Sequence, residues 1–205
     1  MLLWINGPFG GGKTQTAYEL RRRLPGSVVC DPEHVGFGLH RTLPPALRGD
    51  FQDLRAWRQG VYEVLDLTLR RAVDLPGPVI VPMTLVEPAY FEELVGRLRT
   101  VHGVDRVHHF ALLAPRETVL KRLAERGLGR GLKRESFAVS KLDLCLERLN
   151  GPEFAHHIRT DRLTVPQVAD EVARTAGLRI EPNRDGRLRH RLRRVRVGLA
   201  HLRFD

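Results

Sequence analysis

Residues 2–20 read LLWINGPFGGGKTQTAYEL, and this stretch decides the fold. The apolar run LLWI predicts a buried strand, and KTQTAYEL predicts a helix. Between them, Gly7 to Thr14 fit the pattern G-x-x-x-x-G-K-[ST]. A strand before this pattern and a helix after it are the context in which it binds phosphate. The stretch therefore predicts a phosphate-binding loop at the first strand–helix junction.

The loop predicts a nucleoside triphosphate with Mg²⁺ as its ligand. Glycines let the backbone curl so that successive N–H groups face an anion, and the following helix adds its positive end. Lys13 is expected to reach the β- and γ-phosphates, and the Thr14 hydroxyl is expected to ligate Mg²⁺. The residues predicted to bind the nucleotide here are Gly7, Pro8, Phe9, Gly10, Gly11, Gly12, Lys13, Thr14 and Gln15.

Strand-like and helix-like segments alternate along the rest of the chain, which predicts a parallel α/β sheet with helices on both faces. Residues 1–182 are expected to form one P-loop kinase-like domain. The predicted strands are 2–6, 27–30, 78–83, 107–114 and 155–160. The predicted helices are 13–24, 50–73 with Asp50 as N-cap, 88–101, 115–126, 136–149 and 165–178.

Asp31 is the candidate catalytic carboxylate. It follows the second predicted strand, and the carboxyl ends of parallel strands gather at the ligand crevice. The third strand, ending VIVPMT, brings no acid there. Asp31 is thus predicted to ligate Mg²⁺ and to accept a proton from an acceptor hydroxyl. In the alternative interpretation it only caps the next helix at Pro32, and Glu33 and His34 are expected to be surface residues.

Residues 126–135, RGLGRGLKRE, alternate glycines with cations, which predicts a mobile loop. Phosphoryl transfer needs cations around the moving group. Arg122 and Arg126 lie one helical turn apart and Arg130 follows, so these three are predicted to act in catalysis from a lid over the nucleotide. The alternative is a solvated run of charge. After the last strand, Thr160, Asp161 and Arg162 are candidate adenine contacts, and helix capping by Thr164 or Asp161 is the alternative.

With these features in place, the chain resembles the family of ATP-binding tunicamycin-resistance proteins. The resemblance covers almost the whole length, and WINGPFGGGKTQTAYEL and VPMT are its most specific parts. DPEHVGF, DFQDLRAWR, ETVLKRLAER and HIRTDRLTV also match. It implies a fold like that of nucleoside-monophosphate kinases, ATP as ligand, and a membrane-associated C-terminal segment. By analogy of fold alone, the reaction would be phosphorylation of a tunicamycin hydroxyl.

Residues 33–75 are predicted to be the substrate-binding insert. Tunicamycin has a uracil nucleoside, sugars and a fatty acyl chain, so its site needs polar groups beside an apolar groove. The insert supplies both kinds of residue, although most of its apolar members are expected in the core. The predicted substrate contacts are Asp31, Phe37, Trp57, Arg58 and Thr84.

Two functions from different classes fit this sequence. The first is a small-molecule kinase acting on tunicamycin or a related nucleoside-containing compound. The second is a non-catalytic binder that captures the drug at the membrane while ATP only closes the lid. Nucleic-acid binding is not expected, because the chain lacks a recognition motif and its positive charge is concentrated at one end.

The charge is uneven along the chain. The net charge is +10, and residues 183–205 supply +6 of it from eight Arg and two Asp. Leu188, Leu192, Val195, Leu199 and Leu202 share one face of a predicted helix. A basic amphipathic helix of this kind suits an anionic membrane surface, and docking on the domain is the alternative. With no signal peptide or membrane span, and with Cys30 and Cys145 expected as reduced thiols, the protein is predicted to be cytoplasmic.

Overall fold

The structure is a computed structural model whose core is a parallel β-sheet. It describes residues 1–71, 76–126 and 136–184, and within these ranges the sheet has five strands in the order β2-β3-β1-β4-β5. Both neighbours of β1 run parallel to it, with Ile5 opposite Pro82 and Phe110. The strands are β1 (Leu2–Asn6), β2 (Val28–Val29), β3 (Val79–Pro82), β4 (Val107–Leu113) and β5 (His157–Arg159). This confirms the predicted fold class.

Helices connect the strands and cover both faces of the sheet. The first group is α1 (Lys13–Arg23), α2 (Glu33–Thr42), α3 (Arg55–Arg70), α4 (Pro88–Phe91) and α5 (Arg97–His102), with a π-helical segment over Glu92–Gly96 joining α4 to α5. The second group is α6 (Arg116–Arg126), α7 (Ser136–Ser140), α8 (Leu142–Leu149) and α9 (Val165–Thr175). Short 3₁₀ turns occupy Pro45–Leu47, Phe51–Asp53 and Pro152–Phe154.

Alternate residues of the strands divide the core into two layers, as the period of a strand requires. Leu3 and Ile5 pack with α1 and α9 on one face. Leu2 and Trp4 pack with α3, α4 and α5 on the other. A third cluster joins α6, α7 and α8, and Phe9 of the phosphate loop packs against it. The loop therefore rests on the helices that flank the predicted lid.

Two predicted helices are divided in the structure. The helix predicted over 50–73 begins instead at Arg55, because Asp50 caps the preceding 3₁₀ turn by accepting a hydrogen bond from the Gln52 N–H at 3.0 Å. Leu54 then takes an extended conformation before α3 starts. Likewise, the helix predicted over 136–149 is two helices that meet at Lys141.

The segment after α9 folds back against the end of α1. The Glu181 N–H donates to the Arg23 carbonyl at 2.9 Å, and the Arg23 Nε donates to the Glu181 carbonyl at 2.6 Å. Arg22 donates to the Asn183 side chain at 2.8 Å. The predicted helix of residues 183–205 falls almost entirely beyond the described residues. Within the described ranges, every helix is too short or too polar to span a lipid bilayer.

Candidate active site

The phosphate loop depends on backbone conformations that glycine permits. Gly10 and Gly12 have φ angles of 77° and 96°, in the left-handed region that other residues rarely adopt. A Cβ added to Gly10 would lie 2.9 Å from Leu123 Cγ of α6. A Cβ added to Gly12 would meet nothing within 4 Å. Gly10 therefore allows close packing on α6, whereas Gly12 leaves the inner side of the loop open to a ligand.

Residues at the start of α1 fit a polyphosphate. The helix begins at Lys13 with Gly12 as its N-cap, and its first turn carries no acidic residue. The N–H groups of a first helical turn have no partner inside the helix, and the helix dipole favours an anion there. The Lys13 Nζ donates to the Pro8 carbonyl at 3.1 Å and lies 5.5 Å from the centre of the Phe9 ring. The ammonium group is thus held over the loop.

Asn6, which the sequence analysis did not single out, supports the loop from below. It is completely buried at the end of β1. Its Oδ1 accepts hydrogen bonds from the N–H groups of Gly7 at 2.8 Å and Leu85 at 3.0 Å. Its Nδ2 donates to the Leu85 carbonyl at 2.7 Å and lies 3.1 Å from the Nε2 of His109. A polar residue at the end of an apolar strand was the available signal, because buried amides need partners.

His109 of β4 completes this network as a neutral ring. Its Nδ1 lies 3.1 Å from the Ala155 carbonyl, which can only accept, so the Nδ1 carries the proton. The Nε2 is then free to accept from Asn6. Burial lowers the pKa of His109 from 6.5 to about 3. The first glycine of the loop is therefore fixed to the sheet by a chain of neutral, satisfied hydrogen bonds.

Thr84 joins the loop to a neighbouring cavity. Its Oγ1 donates to the Gly7 carbonyl at 2.9 Å, and its own carbonyl accepts from the Gln52 Nε2 at 3.1 Å. Thr84 also lines a cavity of about 250 Å³. Phe9 of the loop lines the same cavity, so one wall of the cavity belongs to the phosphate loop itself.

The cavity has an apolar wall interrupted by polar groups. Four phenylalanines from four parts of the chain contribute to it, and Phe37 and Phe51 meet edge to face with ring centres 6.3 Å apart. The apolar lining is Phe9, Phe37, Phe51, Met83, Val86, Phe137 and Leu144. The other lining residues are Glu33, His40, Gly49, Asp50, Gln52, Thr84, Lys141 and Cys145.

α7 and α8, which follow the predicted lid in the chain, also contribute residues to the cavity. Lys141 at their junction and Cys145 of α8 both face it. Burial raises the pKa of the Cys145 thiol, and the positive charge of Lys13 acts in the opposite direction. A thiol whose pKa is raised is a weak nucleophile, so Cys145 is best described as part of the wall. Cys30 and Cys145 are both free thiols, as expected.

Asp31 follows β2 and caps α2. Its Oδ1 accepts a hydrogen bond from the Glu33 N–H at 3.0 Å, which is the capping role considered as the alternative. The carboxylate is half-buried, so this bond does not by itself remove it from the crevice. Glu33, expected at the surface, instead lines the cavity, while His34 is exposed. The catalytic role of Asp31 stays a prediction.

Two predicted substrate contacts have other roles in the structure. Trp57 is completely buried, and its Nε1 donates to the Pro32 carbonyl at 3.0 Å. It supports α2 from the core and presents no surface to a ligand. Arg58 pairs with Glu93 at 2.6 Å, donates to the Gln52 carbonyl at 2.6 Å, and stacks on Tyr90 at 4.2 Å. Arg58 thus braces the cavity wall from behind, and neither residue lines the cavity.

The predicted lid arginines are only partly described. Arg122 donates to the Thr160 carbonyl at 2.8 Å and to its Oγ1 at 3.0 Å, so it joins α6 to the loop after β5. The side chain of Arg126 and the whole of Arg130 lie outside the described residues. Beyond Thr160, the Arg162 side chain is 96% exposed beside Asp161. The capping box of α9 is formed by Thr164 and Gln167, so the capping alternative is confirmed for Thr164 and not for Asp161.

A site for Mg²⁺ at this edge of the sheet would depend on few protein ligands. No group of three or more His, Cys, Asp and Glu side chains in the described ranges could hold a metal ion. Mg²⁺ usually keeps several waters and takes one or two protein ligands plus substrate phosphates. Thr14 and Asp31 are the residues predicted to supply these protein ligands, as a hydroxyl and a carboxylate.

Comparison with known proteins found a family model and solved structures that match most of the chain. Residues 2–152 match a family model described as an AAA domain. The solved structure of a tunicamycin resistance protein from Deinococcus radiodurans superposes with a TM-score of 0.71 and is 36% identical in sequence. That match covers 89% of this chain and 100% of the other. No match was found among curated proteins.

More distant solved structures share the fold alone. A sugar kinase from a Janibacter species has a TM-score of 0.59 at 18% identity, covering 84% of this chain and 91% of the other. A gluconokinase from Sinorhizobium meliloti has a TM-score of 0.57 at 16% identity, covering 86% and 93%. The chain thus has a kinase-like P-loop fold.

Proposed function

Because this chain belongs to the family of ATP-binding tunicamycin-resistance proteins, we propose that it is a small-molecule kinase. It transfers the γ-phosphate of ATP to a hydroxyl of tunicamycin or a related nucleoside-containing compound. One observation carries this proposal: Phe9 and Thr84 belong both to the phosphate-loop region and to the lining of the apolar cavity. An acceptor in that cavity therefore lies next to the phosphates.

Residues of the loop and of α1 would hold the nucleotide. When bound, ATP supplies the phosphoryl group and Mg²⁺ neutralises charge on its phosphates. The backbone N–H groups of the loop and the Lys13 ammonium bind phosphate oxygens, and the Thr14 hydroxyl with Asp31 holds the metal. The Asn6 network keeps the loop in shape before the nucleotide arrives, so no binding energy is spent on ordering it.

Asp31 accepts the proton of the attacking hydroxyl. One of its oxygens is held by the Glu33 N–H, which fixes the carboxylate at the start of α2. α2 also presents Phe37 to the cavity, so the base is hydrogen-bonded to the first residue of a helix that contributes to the acceptor wall. Phe37 and Thr84 remain in the proposed acceptor site, whereas Trp57 and Arg58 act behind it.

The predicted lid and tail are part of the proposal. Residues 126–135 would cover the nucleotide with Arg126 and Arg130, and Asp161 with Arg162 would border the adenine. The tail of residues 183–205 would place the protein on an anionic membrane, where a drug with an acyl chain partitions. Truncation after Arg184 keeps the contacts of Glu181 and Asn183 with α1, and should lower binding to anionic vesicles while leaving ATP affinity unchanged. Vesicle binding that is unaffected by truncation would refute the membrane role.

A mass spectrum tests the proposed reaction. Tunicamycin is incubated with the protein, ATP and Mg²⁺, and the drug is then analysed for the mass of one added phosphoryl group. The expected product appears with ATP and is absent when a non-hydrolysable analogue replaces it. Tight binding of unmodified tunicamycin would instead identify a non-catalytic binder.

A further inference from the structure

His40, in α2, has a buried ring nitrogen that makes no hydrogen bond to a described residue. Its Nε2 is inaccessible to solvent and has no hydrogen-bond partner in the part of the chain that the structure describes. Leaving a buried polar atom unpaired destabilises a folded protein. Such an atom therefore needs an explanation, and binding of a ligand is one that its location supports.

The location of His40 is the acceptor cavity. The residue lines the cavity together with Phe37, one turn earlier on α2. Its ring meets the Phe51 ring at a centre-to-centre distance of 5.6 Å. Trp4 Nε1, the other such atom found among the described residues, belongs to a completely buried core residue that does not line the cavity. Among the described residues, only His40 both has an unpaired buried polar atom and lines the cavity.

The surroundings of His40 indicate what kind of group it binds. Phe51 contacts the His40 ring, and Phe37 in turn contacts Phe51, so both provide apolar surface in the same cavity. Glu33 and Asp50 place carboxylates on the same cavity, where the only lysine or arginine among the described lining residues is Lys141. With two carboxylates and one ammonium group, the charge of the lining disfavours a compact anionic acceptor. It favours a neutral hydroxyl or amide group attached to an apolar or planar body.

We propose that His40 is a specificity-determining residue whose Nε2 hydrogen-bonds a neutral hydroxyl or amide of the acceptor. The proposal rests on the proposed function, since it takes the cavity as the acceptor site. The acceptor then satisfies an atom that the protein alone leaves unpaired. Selectivity results because an analogue without that group would leave the nitrogen buried and unpaired.

Three variants separate this role from a structural one. His40→Phe keeps a planar ring against Phe51 but removes the hydrogen bond. His40→Gln keeps a hydrogen-bonding group without the ring. His34→Phe, at an exposed position on the same helix that does not line the cavity, is the matched control. For each, the melting temperature, the Kd for ATP, and the Kd for tunicamycin with Mg²⁺ and a non-hydrolysable ATP analogue are measured.

His40→Phe is expected to raise the melting temperature of the free protein by about 2 to 4 °C, because it removes an unpaired buried atom. It should weaken tunicamycin binding about tenfold and leave the Kd for ATP unchanged. His40→Gln should restore most of the tunicamycin affinity. His34→Phe should alter neither dissociation constant.

An unchanged Kd for tunicamycin in His40→Phe would overturn the proposal. So would a lower melting temperature of that variant, because it would show that Nε2 has a structural partner. If the wild-type protein does not bind tunicamycin, the proposed function fails and the melting temperatures alone decide. In that case, a His40→Phe variant that is more stable than the wild type would indicate that Nε2 binds a ligand other than tunicamycin. A variant of equal or lower stability would refute any ligand-binding role of Nε2.

Discussion

The phosphate loop and the acceptor cavity share a wall, but they differ in how far the protein itself satisfies their polar groups. Beneath the loop, Asn6 uses all of its hydrogen-bonding capacity on protein groups, and His109 uses both ring nitrogens. Across the cavity, the Nε2 of His40 has no partner among the described residues, and Phe137 and Leu144 are 53% and 42% exposed. The polar groups beneath the loop are satisfied by the protein itself, whereas in our proposal the ligand satisfies the unpaired group of the cavity.

This difference matches the two binding tasks. A polyphosphate offers the same oxygens in every turnover, so a preformed site binds it at low entropic cost. An acceptor with an acyl chain offers flexible apolar surface, which an adaptable wall can follow. Substitutions in the loop region should therefore affect ATP and catalysis strongly, and those behind the cavity should affect mainly stability.

The largest effect is expected from Lys13→Ala. Without the ammonium group, ATP binding and phosphoryl transfer should both fall to background, because no other described side chain is held over the loop in the same way. The free energy of unfolding should change little, since Lys13 is half-buried at the start of a helix. Lys121→Ala, at an exposed position on α6, is the control. Normal ATP affinity in Lys13→Ala would refute the phosphate-loop assignment.

Asp31→Asn should act mainly on transfer, and its Kd for ATP is measured without Mg²⁺ because Asp31 is also a proposed ligand of the metal. The amide oxygen can still accept the Glu33 N–H, so the start of α2 is preserved. Loss of the base should slow phosphoryl transfer by about 10²- to 10⁴-fold while the Kd for ATP stays nearly constant. Asp105→Asn, at an exposed carboxylate, serves as the control. If the transfer rate of Asp31→Asn is normal, Asp31 is a helix cap and nothing more.

Asn6→Leu breaks the support of the loop. It leaves the N–H groups of Gly7 and Leu85 without their side-chain acceptor, and urea unfolding should show a loss of about 2 to 4 kcal/mol. The Kd for ATP should rise as the loop loses its fixed shape. Asn150→Leu, at an exposed asparagine, should cost less than about 1 kcal/mol. Equal losses of stability in the two variants would contradict a supporting role of the Asn6 network.

His109 predicts a specific dependence of stability on pH. Its pKa is about 3 in the folded protein and 6.5 without burial, so between these values only the unfolded chain binds the proton. Its contribution to stability is complete above pH 6.5 and is lost as the pH falls toward 3. Between pH 6.5 and 5 this residue alone should lower the free energy of unfolding by about 2 kcal/mol. Urea unfolding of His109→Gln should lack this part of the slope, and an identical slope would contradict the buried neutral ring.

Trp57→Phe should have the smallest effect, on stability only. It removes the hydrogen bond to the Pro32 carbonyl, and the free energy of unfolding should fall by about 1 to 2 kcal/mol. Because Trp57 lies behind the cavity wall, kcat and KM for the acceptor should not change. A raised KM at unchanged stability would return Trp57 to the substrate site.

The fold and the loop were predictable from sequence because their signals are local. The strand, the glycines and the helix of residues 2–20 are contiguous, and a sheet built by alternating strands and helices follows from their order. The division at Leu54 was not predictable, because the periodicity of α3 continues across a cap that only Asp50 and Gln52 reveal.

The misplaced and missed site residues share a physical cause. An amphipathic pattern shows that Trp57 has a preferred face but not whether that face meets core or ligand. Asn6 finds its partners 79 and 103 residues away, at Leu85 and His109, so no local pattern connects them. Glu33 and His40 line the same cavity as residues of α7 and α8, which lie far away in the sequence, so no local pattern connects them.

The central claim is that the loop and the cavity form one site, in which the γ-phosphate passes directly to the acceptor. A single-turnover experiment with ATP labelled in the γ-phosphate, Mg²⁺ and tunicamycin tests it directly. The label should appear in tunicamycin, with Lys13→Ala and Asp31→Asn both losing the transfer and only Lys13→Ala losing the bound nucleotide. Label that remains in ATP, or that is released as inorganic phosphate while tunicamycin stays unlabelled, would contradict the claim.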